Sequence, residues 1–164
     1  MSNITKYRYD WIWEKTKYSN FLCVTKQPAK NYENICVFYK KQPTYNPQMR
    51  EGKPYKDKVR KRSSNQQELG AKIKNAVNNT GTRYPNATLF FSNGNNKNVH
   101  PTQKPVALLE YLIKTYTNEN ETVLDNCMGS GSTGVACINT NRNFIGFELD
   151  KYYFQVAKQR IENA

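Results

Sequence analysis

Val123-Leu-Asp-Asn-Cys-Met-Gly-Ser-Gly-Ser-Thr-Gly134, followed by Phe144-Ile-Gly-Phe-Glu-Leu-Asp150, decides how this chain is read. The first piece is a short apolar run, a glycine turn and the start of a helix. The second is another strand, ending in two acids. A strand–turn–helix–strand unit of this kind lets the backbone come close to a ligand. An acid at the tip of its second strand can accept the ribose hydroxyls of an adenosine cofactor. Gly129-Ser-Gly-Ser-Thr-Gly134 fits G-x-G-x-x-G, and no lysine follows the last glycine, so the turn is not a Walker A loop.

Asp125 narrows the choice of cofactor. A dinucleotide sets its pyrophosphate on the helix N-terminus, where a carboxylate four residues before Gly129 would repel it. That acid suits a cationic group, such as the ammonium of S-adenosylmethionine; its simpler reading is a helix-capping acid. Glu148 is the candidate for the ribose, against the alternative of an ordinary acid at a strand end. Asp150 reads as the cap of the last helix.

The elements around this unit follow from periodicity. Residues 121–163 read β-α-β-α, with strands at 122–126 and 144–149 and helices at 132–139 and 152–162. Upstream, His100-Pro-Thr-Gln-Lys-Pro105 leads into a helix with Ala107, Leu108, Tyr111, Leu112 and Tyr116 on one face. Pro105 suits its first turn, and Thr102 can cap the approach. That turn is either an ordinary helix entry or a set of donors for a carboxylate. Tyr7–Glu14 and Asn34–Tyr39 are aromatic and β-branched and read as a wide hairpin. Residues 41–99 are rich in Asn, Lys, Gln, Pro and Gly, with a short helix expected over 66–78 and a strand over 88–91. They read as an inserted, substrate-facing segment.

The 164 residues make one domain's worth of chain, with 37% hydrophobic residues and a mean hydropathy of −0.88. No apolar run approaches the roughly 20 residues of a membrane helix, and Met1-Ser-Asn-Ile-Thr-Lys has no secretory core. Cys23, Cys36, Cys127 and Cys137 form no Cys-x-x-Cys pair, and His100 is the one histidine, so no metal site is expected. The cysteines read as small buried hydrophobes, reduced as in the cytoplasm.

The net charge of +12 is localised. Residues 40–62 hold nine basic and two acidic side chains, whereas residues 105–164 hold five basic and seven acidic. Lys40, Lys41, Arg50, Lys53, Lys56, Lys58, Arg60, Lys61 and Arg62, with Tyr45 and Tyr55 among them, are therefore candidates for phosphate contact on nucleic acid. The alternative is a loop kept soluble by its charge.

His-Pro-Thr-Gln-Lys-Pro, Leu-Asp-Asn-Cys-Met-Gly-Ser-Gly-Ser-Thr-Gly and Ile-Gly-Phe-Glu-Leu-Asp, in that order, resemble the DNA methyltransferases that modify adenine N6 or cytosine N4. The order is that of the circularly permuted beta class. Tyr9-Asp-Trp-Ile-Trp-Glu-Lys15 and Glu33-Asn-Ile-Cys-Val-Phe-Tyr39 resemble the late strands of that family's sheet. The resemblance implies an α/β, Rossmann-like methyltransferase fold: a mostly parallel sheet with helices on both faces and an antiparallel hairpin at one edge. It implies a single domain over 1–164, with the late-sheet hairpin in 1–40, target recognition in 41–99 and cofactor binding in 100–164.

By the same resemblance the cofactor is S-adenosylmethionine and the partner is double-stranded DNA, with adenine N6 preferred to cytosine N4 as target. Asp125, Asn126, Cys127, Gly129, Gly131, Ser132 and Thr133 would hold the methionine part. Glu148 would take the ribose, and Thr102, Gln103 and Lys104 would line the other side. The protein would be cytoplasmic, of bacterial or phage origin. Cys127 stands where the family usually has Phe.

The family transfers its methyl group at an Asp/Asn/Ser-Pro-Pro-aromatic motif that grips a flipped base. No Pro-Pro pair occurs in this sequence, so no catalytic residue is assigned. By resemblance, roughly 80–100 residues with about three central strands would lie upstream of residue 7. Without them, two sheet edges and a split core are expected, to be completed by a missing segment or a second polypeptide. Other readings are a catalytically incomplete DNA- or cofactor-binding fragment and an unrelated nucleotide-binding oxidoreductase.

Overall fold

The computed structural model describes residues 4–57, 77–93, 100 and 102–164. They fall into two units, residues 47–85 and the remainder.

The larger unit opens with β1 (Tyr7–Glu14) and β2 (Tyr32–Phe38), an antiparallel pair with Trp11 opposite Ile35 and Trp13 opposite Glu33. The loop between them carries a 3-10 turn at Phe21–Cys23 and is held closed by Asn20, which donates to Pro28 O and accepts from Lys30 N. A short strand, Thr88–Phe90, lies parallel to β1 on its other side, so β1 is central in a three-stranded sheet. It is the strand expected over 88–91, one residue shorter, and what the sequence does not show is its parallel pairing with β1.

Alternation along β1 sends Tyr9, Trp11 and Trp13 to one face, where the two tryptophans are 3% and 2% exposed. Each buries about 200 Å2, on the order of 5 kcal/mol as an upper bound. Their polar ends are satisfied: Trp11 Nε1 donates to Tyr116 Oη and Trp13 Nε1 to Phe91 O.

The first α-helix, α1 (Val106–Tyr116), covers this face with Leu108, Tyr111, Leu112 and Tyr116. The rest of the expected stripe fails: Ala107 is exposed. Pro105 occupies the N-cap rather than the first turn, and Thr102 makes no capping bond, its hydroxyl being paired with His100 Nδ1. At the other end Asn46 donates from its side chain to Lys114 O and Thr117 O, and from its backbone to Thr115 O, satisfying carbonyls the helix leaves open.

Val106, Leu109 and Ile113, on a second side of α1, face a different cluster. It is built by strand Thr122–Asp125, helix α2 (Ser132–Asn139) and strand Asn143–Gly146, and helix α3 (Lys151–Glu162) packs beside α2, with Ile161 next to Gly134. The two strands run parallel, Leu124 opposite Ile145. The second strand ends at Gly146, short of the expected Leu149, with Phe147 still donating from its N–H to Asp125 O and accepting at its carbonyl from Met128 N. Asp150 caps α3 as expected, accepting from Tyr152 N and Tyr153 N.

Among the described residues the two sheets share no ladder, and their buried residues form two clusters. The face of the second sheet turned away from the helices is apolar and open, with Leu124 62% and Ile145 50% exposed, whereas the open face of the first sheet mixes Ile12 and Phe90 with Asp10 and Asn34. Parallel strands are ordinarily covered on both faces. Three of the four cysteines are exposed, against the buried reading. Cys36 lies on the open sheet face, Cys23 in the 3-10 turn and Cys127 in the glycine turn, leaving Cys137 in the core.

Unit 47–85 holds two short antiparallel ladders, Arg50–Glu51 with Thr82–Arg83 and Tyr55–Asp57 with Val77–Asn79. Val77 and Asn78, the expected end of a helix, are strand residues, because they extend against Asp57 and Lys56. Residues 66–76 of that helix lie outside the described residues. Residues 41–46 and 86–93 belong to the larger unit.

Candidate functional site

The glycine turn joins strand Thr122–Asp125 to α2. Gly131 is its pivot: its φ is +77°, and a Cβ there would meet Ala157 Cα of α3 at 2.9 Å. Only glycine permits both the left-handed backbone and the close helix.

Asp125 and Glu148 fix the turn from either side. Asp125 Oδ1 accepts from Cys127 N at 3.1 Å and Oδ2 from Thr133 Oγ1 at 2.6 Å. Glu148 lies two residues beyond its strand; Oε2 accepts from Gly129 N at 2.8 Å and Oε1 from Asp150 N at 3.0 Å. Those amides, Asp150's first, hold its carboxyl below the ordinary 4.5. A carboxylate offers about four lone-pair sites, so each acid keeps acceptor capacity for a ligand.

Glu148 also lines a recess of about 400 Å3, with Asn126, Cys127, Gly146, Phe147, Leu149 and Phe154. This is within the range of small-molecule sites, and apolar walls with a few polar groups are their usual composition. Phe147, Leu149 and Phe154 line the recess but are not among the residues the sequence marks.

The His100–Pro105 turn packs on the glycine turn. Gln103 Oε1 accepts from Ser130 Oγ at 3.2 Å, and the His100 ring sits over Gly129 and against Tyr153. Lys104 points instead to Glu33. Arg160, from α3, donates to Ser130 O, to Ser130 Oγ and to Ser132 Oγ. Ser132 and Thr133 are thus engaged in holding the turn. Arg160 carries no signal in the sequence, since it reaches the turn from a distant helix, while His100 belongs to a motif that the sequence marks.

Of the basic candidates, Lys40, Lys41, Arg50, Lys53 and Lys56 are exposed, while Lys58, Arg60, Lys61 and Arg62 lie outside the described residues. Arg50 Nε donates to Tyr84 O, and Arg83 stacks over the Tyr55 ring at 4.6 Å.

A family model described as "DNA methylase" matches residues 2–159. The chain belongs to this DNA N6/N4 methyltransferase family. Over 92 residues it is 38% identical to the type II methyltransferase M.HpaI of Haemophilus parainfluenzae, covering 54% of this chain and 29% of that protein. Over 65 residues it is 42% identical to the DNA adenine methyltransferase YhdJ of Escherichia coli, covering 40% and 22%.

The structure of the M1.HpyAVI–SAM complex is similar with a TM-score of 0.62 and 30% identity, over 94% of this chain and 62% of that one. The cytosine-N4-specific PvuII methyltransferase shares the fold, with a TM-score of 0.63, 20% identity and coverage of 92% and 49%. The fold is the Rossmann-like methyltransferase fold, and the chain spans less than two thirds of the length of these relatives.

The acid at the recess gives the fold a pH dependence. Glu148 is depressed on folding, so its stabilising effect is complete above its unfolded value of 4.5 and is lost as pH falls through the lower folded value. The thermal midpoint should fall in that acid window, and Glu148→Gln should flatten the fall. A series of melts from neutral pH downward checks this.

Proposed function

We propose that this chain is the cofactor-binding and DNA-facing part of an S-adenosylmethionine-dependent DNA N-methyltransferase, acting on an exocyclic amino group, adenine N6 in preference to cytosine N4. The observation that carries the reading is Glu148, bonded to the glycine turn and lining an apolar recess beside it. Glu148 would accept the ribose hydroxyls, with Phe147, Leu149 and Phe154 against the base. Asp125, Asn126, Cys127, Gly129 and Gly131 would hold the methionine part, steadied by Ser132 and Thr133. Thr102, Gln103 and Lys104 would close the other side. When bound, the cofactor supplies an electrophilic methyl group; these residues bind and orient it and exclude water.

Calorimetry with S-adenosylmethionine and with NAD tests the reading. S-adenosylmethionine should bind and NAD should not. Glu148→Gln should weaken binding roughly 10-fold to 100-fold, the effect of removing a charged acceptor from a ligand hydrogen bond. Tighter binding of NAD, or no effect of the substitution, would remove the assignment.

The DNA-facing part is the basic run 40–62, with unit 47–85 as the target-recognition segment. Neutralising Z phosphates gives a slope of about −0.9Z in log K against log salt. Replacing Lys56, Lys58, Arg60, Lys61 and Arg62 by Gln should flatten that slope by up to about 4. An unchanged slope would leave the run as a solvated loop. That the two sheets share no ladder among the described residues supports a further part of the proposal: central strands from an additional segment or a second polypeptide pair along their edges and complete the sheet.

A further inference from the structure

Glu33 stands between two ammonium groups. Its Oε1 accepts from Lys15 Nζ and its Oε2 from Lys104 Nζ, each at 3.0 Å. Both ammoniums also lie over the Trp13 ring, 5.7 and 5.6 Å from its centroid. The Lys15 side chain is 4% exposed, while those of Lys104 and Glu33 are 43% and 38% exposed. Burial acts to raise the Glu33 carboxyl, but the two lysines outweigh it and hold it below the ordinary range.

These contacts join parts that the sheets leave unconnected. Glu33 and Lys15 belong to the hairpin. Lys104 belongs to the turn whose preceding residue, Gln103, accepts from Ser130 of the glycine turn. A chain of contacts thus runs Lys15–Glu33–Lys104, along the backbone to Gln103, and on to Ser130. Nothing in the sequence spacing marks Glu33 for this, since it is 71 residues from Lys104.

We infer that Glu33 is a positioning residue for cofactor binding: it clamps Lys104 to the hairpin and so holds the His100–Pro105 turn against the glycine turn. The inference rests on the reading that these two turns face S-adenosylmethionine. Lys15 is the fixed counter-charge. It is almost wholly buried and cannot turn to water, so it keeps Glu33 ionised and in place. Lys104 is the more exposed partner; released, its ammonium reaches solvent and the His100–Pro105 turn loses its tie to the hairpin.

The test is a double-mutant cycle on S-adenosylmethionine affinity, measured by calorimetry on the full chain. Glu33→Gln should weaken binding about tenfold, and Lys104→Met by a similar factor, with the double variant no weaker than either. Because Glu33→Gln strands a buried ammonium, the cycle is repeated in a Lys15→Met background, where that charge is gone and folding is checked by the thermal midpoint. The same non-additivity is expected there.

A second readout is Trp13 emission, recorded with Trp11 replaced by Phe. It should shift in Glu33→Gln as Lys104 leaves the ring. If the wild-type chain binds and the two effects multiply, or Glu33→Gln binds normally, Glu33 is not a positioning residue, while the cofactor reading stands. If the wild-type chain binds no S-adenosylmethionine, both fall.

Discussion

Purified as 164 residues, the chain should transfer no labelled methyl group from S-adenosylmethionine to DNA, and should do so when mixed with a polypeptide supplying the family's Pro-Pro motif and central strands. Transfer requires the methyl group in line with an exocyclic nitrogen whose lone pair is conjugated with the ring until hydrogen bonds hold the amino group. That positioning supplies much of the rate.

None of the seven prolines is paired with another. The nearest imitation is Lys53-Pro54-Tyr55. An ammonium there cannot accept from an amino group, and Arg83 lies over the Tyr55 ring. Scintillation counting of DNA after incubation, with and without the second polypeptide, measures the effect. Robust transfer by the chain alone would mean that a different loop performs the chemistry. No transfer in either case would favour a fragment that binds without catalysing.

Gly131→Ala should be the most damaging single substitution in the glycine turn. A φ of +77° costs a side chain about 1–2 kcal/mol. The added Cβ would also stand 2.9 Å from both Cα and Cβ of Ala157, a residue with no exposure, so the helix must shift. Overpacking of this kind costs about 1–3 kcal/mol. Together they lower the thermal midpoint by roughly 5–15 °C. Affinity for S-adenosylmethionine should fall too, because α3 carries Arg160, which grips Ser130 and Ser132. An unchanged midpoint would mean that the turn accepts a side chain and that its left-handed geometry is dispensable.

Much of the fold was legible because local signals and packing agree. Tyr7–Glu14 alternates with a period of two and is a half-covered strand. Ser132–Asn139 follows a glycine turn and is a helix, and Asp150 caps the helix after it. Three kinds of feature were not legible. The helix α1 reads as apolar on one side, yet it is buried on two, because Val106, Leu109 and Ile113 face a second cluster that no single-stripe pattern contains. Val77–Asn79 is strand only through pairing with Tyr55–Asp57, a tertiary choice overriding weak local preference. At the site, the glycines and Glu148 announce themselves by spacing. Arg160 and Glu33 arrive from elsewhere in the chain, and distance in sequence erases the signal.

The double burial of α1 also decides how this part of the molecule comes apart. Leu108 and Ile113 sit on the same eleven-residue helix, one in each cluster. Neither cluster can lose the helix without depriving the other of a wall. The two sheets should therefore melt as one transition, and the backbone amides of α1 should exchange with solvent only in the rarest, global opening. A truncated side chain at either position would be felt in both halves, so that a lesion beside the tryptophans loosens the glycine turn on the far side of the helix.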